Sequence, residues 1–287
     1  MNHNSDDLQS LKNRPAPRRQ SEVTGNVRLA LNQGRIESKN LVEWLCVDRL
    51  ALLHSLNQSL NWNLELSTKK DLAPLAPLSK LQQSKQIAKL LAAQINPTDQ
   101  RFQQLQSHPS DVAREWAALI IGSWPEMPFQ RRLAWMKPLA DDANASTREI
   151  AWIALREHVI DDPANAINRL IPWTGSRNDR LRRYASEITR PRGVWCRHCP
   201  TLIENPSLAL PLLTPLRSDD SLYVRNSVAN WLNDASKSQP LWVQQLSSLW
   251  INESPTPETN YIVRRALRTL LKSNQTSPLH QTRLTKT

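Results

Sequence analysis

From about residue 97 onwards, an arginine recurs along this chain, each time three residues before a small or apolar residue. These arginines are Arg114, Arg148, Arg182, Arg225 and Arg264, at successive spacings of 34, 34, 43 and 39 residues. Such lengths are typical of HEAT-type helix–turn–helix repeats, in which each helix pair buries its apolar face by stacking on its neighbours. The sequence therefore predicts an all-α, right-handed α-α superhelix (solenoid) of HEAT-like repeats.

Glycine is scarce, with five residues in 287. This scarcity argues against Gly-rich phosphate loops and against sheets joined by tight hairpin turns. The longest strictly apolar run near the middle covers residues 116–121, far short of the roughly 20 residues that a membrane span needs. Residues 1–20 carry six charged side chains and no apolar h-region, so no secretory signal is expected. We expect a cytoplasmic protein that does not associate with membranes.

The chain is expected to have three parts: a disordered tail over residues 1–26, a repeat domain over 27–272 and a flexible tail over 273–287. Apolar residues at helical spacing over 41–56, and again over 78–95, predict two helices ahead of the repeats. Residues 71–77 contain two prolines and are expected to form a connection that lets the N-terminal region move.

The repeat arginines are expected to have a structural role. An acidic residue precedes each of the first four arginine helices, and these residues are Asp111, Asp142, Asp179 and Asp220. Pairing between an arginine and an aspartate across the stack is favoured over DNA contact for Arg114, Arg148, Arg182 and Arg225.

Most of the tryptophans are expected in the core. Five of them fall on apolar helical stripes, and these are Trp116, Trp135, Trp152, Trp231 and Trp250. Trp195 differs, because it lies in an irregular, positively charged stretch where no periodic pattern requires it.

Residues 177–197 hold seven arginines against Asp179 and Glu187, a balance of +5 within a chain of net charge +11. Arginine suits forked hydrogen bonding to phosphate oxygens, so a concave basic face that binds nucleic acid is favoured over a merely solvated surface. Glu187 lies among these cations, which are expected to lower its pKa and keep it ionised. It could serve as a base or charge stabiliser, or it could simply neutralise Arg183 four residues earlier.

The three cysteines suit a reducing compartment and cannot form a disulfide framework. The motif Cys196-Arg197-His198-Cys199 could supply three zinc ligands. A structural zinc site draws a second ligand pair from elsewhere, and only scattered residues could provide one here. An ordinary loop is therefore the favoured interpretation, and no metal is expected.

Three central motifs, in this order, resemble the AlkC/AlkD superfamily of HEAT-like-repeat DNA alkylation repair glycosylases, with the AlkC branch closest. They are RRYASEITRPRGVW at 182–195, YVRNSVANWLNDASK at 223–237 and RRALRTLLK at 264–272. Residues 30–34 and 41–45 are also similar to the N-terminal helices of the family, so the likeness covers about residues 27–272.

The resemblance implies a monomeric enzyme that wraps double-stranded DNA and hydrolyses the N-glycosidic bond of cationic alkylated bases such as 3-methyladenine or 3-methylcytosine. It implies no extrusion of the base into a deep pocket and no metal or organic cofactor. Such a base leaves as a neutral molecule, so the chemistry needs a carboxylate that stabilises an oxocarbenium-like sugar and orients water, rather than a general acid.

Residue by residue, the resemblance assigns the essential carboxylates to Glu187 and Asp234, with Glu149 as a third acidic position. On the residues alone, Asp234 could equally cap the turn after its helix. The implied DNA-binding side chains are Arg183, Arg190, Arg192, Trp195, Arg225 and Lys237, and Trp195 would pack on the exposed deoxyribose.

Two departures from the family pattern bear on these expectations. Ile188 stands where a glycine is usual, and Gly193-Val194 replaces a Leu-Pro pair, so a reshaped loop is expected around Arg190 and Trp195. A chain ending at residue 287 leaves no room for the immunoglobulin-like domain of some AlkC relatives, from which a weaker grip on damaged DNA is expected. Two alternatives to a glycosylase remain: a non-catalytic protein that binds bent or branched DNA, and a protein-interaction scaffold.

Overall fold

The computed structural model describes residues 3–64 and 73–276 of the chain. Every regular element in these two ranges is helical, so the predicted all-α class is confirmed. The chain divides into two compact units, Met1–Ala154 and Leu155–Thr287. None of the helices in the described ranges is both long and apolar enough to span a bilayer.

The first unit contains eight described helices and the beginning of a ninth. They are α1 (His3–Asn13), α2 (Gly25–Asn32), α3 (Leu41–Cys46), α4 (Arg49–Ser59), α5 (Lys80–Ala92), α6 (Gln100–Gln106), α7 (Asp111–Ser123), α8 (Phe129–Ala140) and α9 (Ala145–Asp161), with 3-10 turns at Gln20–Glu22 and Ala73–Leu75. Helix α7 packs against α5, α6 and α8. Trp116, on α7, is fully buried among these helices.

The second unit holds the end of α9 and eight further described helices. They are α10 (Pro163–Thr174), α11 (Asp179–Ile188), α12 (Pro200–Glu204), α13 (Leu210–Leu213), α14 (Leu222–Ser236), α15 (Pro240–Glu253), α16 (Pro257–Ala266) and α17 (Arg268–Thr276), with 3-10 turns at Pro206–Ala209 and Thr214–Leu216. Helix α14 packs against α11 on one side and α16 on the other. Val224, Val228 and Trp231 of α14 are fully buried, so this helix forms the core of the unit.

Four repeat arginines make the same local contact. Nη1 of Arg114 donates to the carbonyl oxygens of His108 and Pro109, six and five residues earlier, at 2.7 and 3.1 Å. The equivalent carbonyls are those of residues 142 and 143 for Arg148, 176 and 177 for Arg182, and 219 and 220 for Arg225. Each arginine thus ties its helix to the turn that precedes it.

Two of these arginines also hold an aspartate of the following repeat. Arg114 binds both oxygens of Asp142 at 2.7 and 3.1 Å, and Arg182 binds both oxygens of Asp219 at 2.7 and 2.8 Å. Asp142 and Asp219 each lie six residues before the next repeat arginine. The predicted pairing across the stack is therefore confirmed for Arg114 and Arg182, and Arg182 binds both oxygens of Asp219 and one oxygen of Asp220. For Arg148 and Arg225, the same pairing stays a prediction.

The predicted single helix over residues 41–56 is wrong, because the chain breaks between α3 and α4. Asp48 stops α3 from continuing: its Oδ1 accepts from the backbone N–H groups of Leu50 and Ala51 at 3.0 and 3.1 Å, which makes it the N-cap of α4. Helix α5 matches the predicted helix over 78–95. Of the predicted connection over 71–77, residues 71 and 72 lie outside the described ranges.

The expected N-terminal tail is structured where it is described. Glu43 is buried, and Arg14 neutralises it, with its Nε donating to Oε1 at 2.8 Å. The carbonyl of Pro17 accepts from Asn40 Nδ2 at 2.7 Å. A buried carboxylate requires a cationic or hydrogen-bonding partner, and these two contacts hold residues 14–17 against the first unit. At the other end α17 extends to Thr276, and the rest of the expected tail, 277–287, lies outside the described residues.

Four of the five tryptophans expected in the core, Trp116, Trp152, Trp231 and Trp250, are buried. Trp135 is half-buried and packs its ring edge-on against Phe102. The apolar-stripe interpretation of these residues is confirmed.

Candidate active site

Arg190 joins two carboxylates that are far apart in the sequence. Its Nη1 donates to Glu187 Oε1 at 2.6 Å, and its Nε and Nη2 donate to Asp234 Oδ2 at 2.9 and 2.7 Å. Since the N–H donors of a guanidinium point outwards in a fixed plane, one side chain can hold both carboxylates. The second unit therefore brings Glu187 and Asp234 to one place.

Glu187 occupies the last turn of α11 and is only 4% exposed. Ser227 on α14 donates its hydroxyl proton to Glu187 Oε2 at 2.7 Å, and Arg183 Nη2 lies 3.4 Å from the same oxygen. Burial raises the pKa of Glu187, but Arg183, Arg190 and the Ser227 hydrogen bond outweigh it, so the pKa lies below its usual value. The expected direction is confirmed, and Glu187 is a buried anion that also neutralises Arg183.

Asp234 lies inside α14 and is 5% exposed. The alternative of a turn cap does not hold, because the helix continues to Ser236 and the carboxylate faces Arg190. Its second oxygen, Oδ1, is 3.2 Å from Lys237 Nζ. The Lys237 side chain is 42% exposed, so this edge of the carboxylate pair borders solvent.

Buried neighbours hold the backbone that carries Arg190. Arg156 donates from Nη1 to the carbonyl of Ile188 at 2.5 Å and from Nη2 to the carbonyl of Arg190 itself at 2.6 Å. Trp231 Nε1 donates to the carbonyl of Thr189 at 3.0 Å. Because the free carbonyls at the end of α11 all find donors, the arginine starts from a fixed position.

Ile188 does not disturb this turn. It is the last residue of α11, it is fully buried, and its φ is not positive, so the backbone there needs no glycine. A Cβ on Gly193 would lie 2.3 Å from Cys196 Sγ and 2.7 Å from two backbone oxygens, so only glycine fits at that position. The backbone of this loop therefore requires glycine at position 193 and does not require it at position 188.

Trp195 presents its ring to solvent and is 59% exposed. Its φ is 63°, in the left-handed region that costs a non-glycine residue roughly 1–2 kcal/mol. No burial of the indole compensates for that strain. An exposed aromatic ring on a strained backbone is the kind of outlier that concentrates at binding sites.

The other predicted DNA-binding side chains divide into two groups. Arg192 Nη2 donates to Ser238 Oγ at 2.7 Å, next to Lys237, and Arg183 lies 4.9 Å over the ring of Tyr223. Arg183 and Lys237 contact the carboxylate pair directly, and Arg192 binds the residue that follows Lys237. Arg225 instead uses Nη1 on two backbone carbonyls and stacks on a tyrosine ring, contacts that favour its structural role over DNA contact.

Glu149 belongs to the first unit. Its Oε2 accepts from Trp152 Nε1 at 2.9 Å. The structure thus groups Glu187 with Asp234 in one unit and describes Glu149 in the other.

Two residues of the site escaped the sequence analysis. Ser227 could have been found, because it lies seven residues before Asp234, which is two helical turns and so the same face of α14. Arg156 had no such signal, since its partners are backbone carbonyls that no side-chain pattern marks.

The Cys196–Cys199 motif is part of the loop. The Nδ1 atom of His198 accepts from the backbone N–H of Gly193 at 3.2 Å, and both cysteines are free thiols. Within the described ranges, no group of three or more histidine, cysteine or acidic side chains is arranged to hold a metal ion.

Known proteins resemble this chain in sequence and in fold. No protein-family model matches the chain. An uncharacterised protein of Bacillus subtilis, YhaZ, is 39% identical over 173 residues, which are 59% of this chain and 47% of that protein. The chain therefore matches about half the length of that curated relative.

Among solved structures, the alkylpurine DNA glycosylase AlkC of Pseudomonas fluorescens, bound to DNA containing an abasic site analogue, superimposes with a TM-score of 0.58 and 32% identity. That match covers 70% of this chain and 55% of AlkC. Streptococcus mutans smu.31 gives a TM-score of 0.53 at 26% identity, over 70% of this chain and 98% of that one. AlkD2 of the same species gives 0.54 at 24% identity with the same coverage, which shows the shared fold.

Proposed function

The chain belongs to the AlkC/AlkD superfamily of HEAT-like-repeat proteins, and from this premise we propose that it is a DNA glycosylase. Its substrates are cationic alkylated bases, of the 3-methyladenine or 3-methylcytosine type, in double-stranded DNA. The observation that carries the proposal is the pair of buried carboxylates, Glu187 and Asp234, that share Arg190. The base is released without entering a deep pocket.

A cationic base leaves the sugar as a neutral molecule, so the protein need not protonate it. What the reaction requires is negative charge beside the sugar carbon, where an oxocarbenium-like transition state develops, and a group that orients water. Anions held in advance by fixed donors act without rearrangement during the reaction. Glu187 and Asp234 meet this requirement, because each is fixed by hydrogen bonds in a water-poor site.

The contacts suggest different tasks for the two carboxylates. Both oxygens of Glu187 are occupied, Oε1 by Arg190 and Oε2 by Ser227 and Arg183. Glu187 therefore acts as a fixed charge that positions Arg190. Asp234 turns Oδ1 towards the exposed side chain of Lys237, and this oxygen is the one that orients water.

Bound DNA completes the site by drawing Lys237 away. In the free protein the two carboxylates face three cations, Arg183, Arg190 and Lys237. A backbone phosphate competes with Asp234 for Lys237, whose side chain reaches the surface. When Lys237 turns to the phosphate, Asp234 Oδ1 becomes available and the negative charge beside the sugar increases. Bound DNA thus leaves the two carboxylates facing two cations instead of three.

Release of free methylated base from methylated duplex DNA tests the proposal. We expect wild-type protein to release base and the double variant Glu187→Gln/Asp234→Asn to release at least a hundredfold less. Glu253→Gln, which makes the same chemical change at an exposed position at the end of α15, is the matched control and keeps full activity. No release by wild type, or unchanged release by the double variant, contradicts the proposal.

A non-catalytic protein that binds bent or branched DNA is the second candidate. It is favoured by the full occupation of both Glu187 oxygens and by the two bonds from Arg190 to Asp234 Oδ2. Tight, salt-sensitive binding of junction DNA with no base release from any methylated substrate supports it, and turnover excludes it.

A further inference from the structure

The first unit contains a pocket that the glycosylase proposal does not use. Its volume is about 400 Å³. Three segments form its walls: the end of α1, the connection between α2 and α3, and the residues around the start of α7. The charged side chains that line it are Lys12, Arg14, Arg35, Glu37, Lys39 and Arg114.

Two of these cations are committed to the protein. Arg14 donates from Nε to Glu43 Oε1 at 2.8 Å and from Nη2 to the carbonyl of Glu37 at 2.8 Å. Arg114 binds Asp142 through Nε and Nη2, and its Nη2 also donates to Glu37 Oε2 at 2.7 Å. These arginines form rigid walls that add positive potential without offering free donors.

The other three cations are available. Within the described ranges the side chains of Lys12, Arg35 and Lys39 make no hydrogen bond or ion pair. Arg35 is half-buried, while the two lysines are exposed. The five cations that line the pocket outnumber the three carboxylates that Arg14 and Arg114 bind, which are those of Glu37, Glu43 and Asp142.

His108 adds a neutral donor to the lining. Burial, together with the neighbouring Arg114, lowers the pKa of His108 to about 4, so the imidazole is uncharged near neutral pH. Its Nδ1 accepts from the backbone N–H of Ser110 at 3.1 Å, which leaves the proton on Nε2.

We propose that this pocket binds a phosphate group carried on a unit the size of a nucleotide. A half-buried guanidinium without an acceptor is unfavourable, and its forked N–H groups match two phosphate oxygens. Lys12 and Lys39 supply mobile ammonium groups around the same anion. The volume falls within the roughly 300–1,000 Å³ typical of small-ligand pockets, which leaves room for a sugar attached to the phosphate. A free nucleotide and a backbone phosphate of DNA share this chemistry.

Binding by the full-length protein distinguishes the two sources. The probes are inorganic phosphate, deoxythymidine 5′-monophosphate and an undamaged DNA duplex, with affinities measured at several salt concentrations. The variants are Arg35→Ala/Lys39→Ala and, because Arg35 is half-buried, Lys12→Ala/Lys39→Ala, which changes only exposed side chains. Lys85→Ala/Lys89→Ala on α5 is the matched control, since it removes two cations from the same unit outside the pocket.

If a free nucleotide is the ligand, both pocket variants bind the monophosphate at least tenfold more weakly than wild type and control. If DNA is the ligand, the small probes do not bind, and the pocket variants lose about two units of salt dependence in a log–log plot, since each phosphate contact contributes about 0.9. The proposal is overturned if the pocket variants and the control behave alike with every probe. These measurements use no damaged base, so their outcome is independent of base release.

Discussion

Ser227 donates its hydroxyl proton to Oε2 of Glu187 across 2.7 Å, from one helix to the next, and both side chains are buried. Ser186 in turn donates to Ser227 Oγ at 2.8 Å. An ionised carboxylate only accepts hydrogen bonds, so the hydroxyl of Ser227 must point at Glu187. The serine therefore fixes the rotation of the carboxylate that Arg190 binds from the other side.

Ser227→Ala removes this donor from a buried anion. Hydrogen bonds to charged groups contribute about 1.5–3 kcal/mol, so we expect the free energy of unfolding to fall by about that amount and the pKa of Glu187 to rise. Urea unfolding and the pH dependence of base release measure the two effects. Ser248→Ala, on the exposed face of α15, is the control and changes neither. A loss of stability without any change in the pH profile limits Ser227 to a structural role.

Acid should weaken the protein through Glu187. Its pKa is lower in the folded protein than the usual 4.5. The stability it contributes is therefore complete above pH 4.5 and is lost as the pH falls from there through the folded pKa. Unfolding free energies measured between pH 7 and pH 3 should fall less steeply below pH 4.5 for Glu187→Gln than for wild type. The Glu253→Gln curve should run parallel to wild type. Equal acid dependence of Glu187→Gln and wild type would show that Glu187 is not stabilised as an anion.

Glu115 in the first unit should have the opposite effect. Complete burial and the nearby Asp111 raise its pKa to about 8, against the pull of Arg49 and Arg114, and Trp44 Nε1 donates to its Oε1 at 2.6 Å. The folded state favours the protonated form, so the stability it contributes is complete below pH 4.5 and is lost as the pH rises through about 8.

Glu115→Gln retains an oxygen for Trp44 and cannot ionise. The stability of this variant relative to wild type should therefore increase between pH 5 and pH 9, by at least the 1.4 kcal/mol that one pKa unit represents. Chemical unfolding at the two pH values measures it, with Glu204→Gln at an exposed position as the control. A pH-independent difference would mean that Glu115 is ionised in the folded protein.

Lys237→Met tests the role of DNA in releasing Asp234. The variant loses one phosphate contact, so the affinity for DNA should weaken and the log–log salt slope should decrease by about 0.9. At saturating DNA the rate of base release should stay near that of wild type, because Asp234 still holds Arg190. Lys137→Met, at an exposed position on α8, is the control. If Lys237→Met at saturating DNA releases base as slowly as Asp234→Asn, then Lys237 does more than move away from Asp234 when DNA binds.

Trp195 should contribute to DNA binding rather than to the stability of the fold. Trp195→Gly removes the left-handed strain, so it should be about 1 kcal/mol more stable than Trp195→Ala. Both variants lose the exposed ring, and we expect DNA binding to weaken by fivefold or more, which is about 1 kcal/mol. Leu241→Ala, another exposed apolar side chain, should leave DNA binding unchanged. Equal DNA affinity of wild type and both Trp195 variants would remove the residue from the interface.

The features of this protein that could be predicted are those that the periodic spacing of side chains determines. The repeat arginines stand at fixed helical positions, and the low pKa of Glu187 follows from the number of arginines nearby. The meeting of Glu187 and Asp234 was implied by the resemblance of their motifs to a family. Their connection through Arg190 depends on how α11 ends, which the spacing of residues does not specify.

Contacts between side chains and backbone atoms account for most of the features that could not be predicted from the sequence. Asp48 ends one helix and begins another because its carboxylate finds two N–H groups, and Arg156 reaches the carbonyls of Ile188 and Arg190. The sequence predicts a disordered segment around Arg14, whereas in the structure Arg14 is held there by the buried carboxylate of Glu43. In each case a polar side chain satisfies a partner whose position only the folded chain determines.

The bonds from Arg114 to Asp142 and from Arg182 to Asp219 fasten each of these repeats to the next, although the paired residues are 28 apart in one case and 37 in the other. The nine additional residues lie between the anchoring points, in the segment that also contains Arg190 and Trp195. Insertions can therefore accumulate there without shifting the alignment of successive helices. A chain fastened in this way can lengthen the segment around Arg190 and Trp195 while its scaffold stays unchanged.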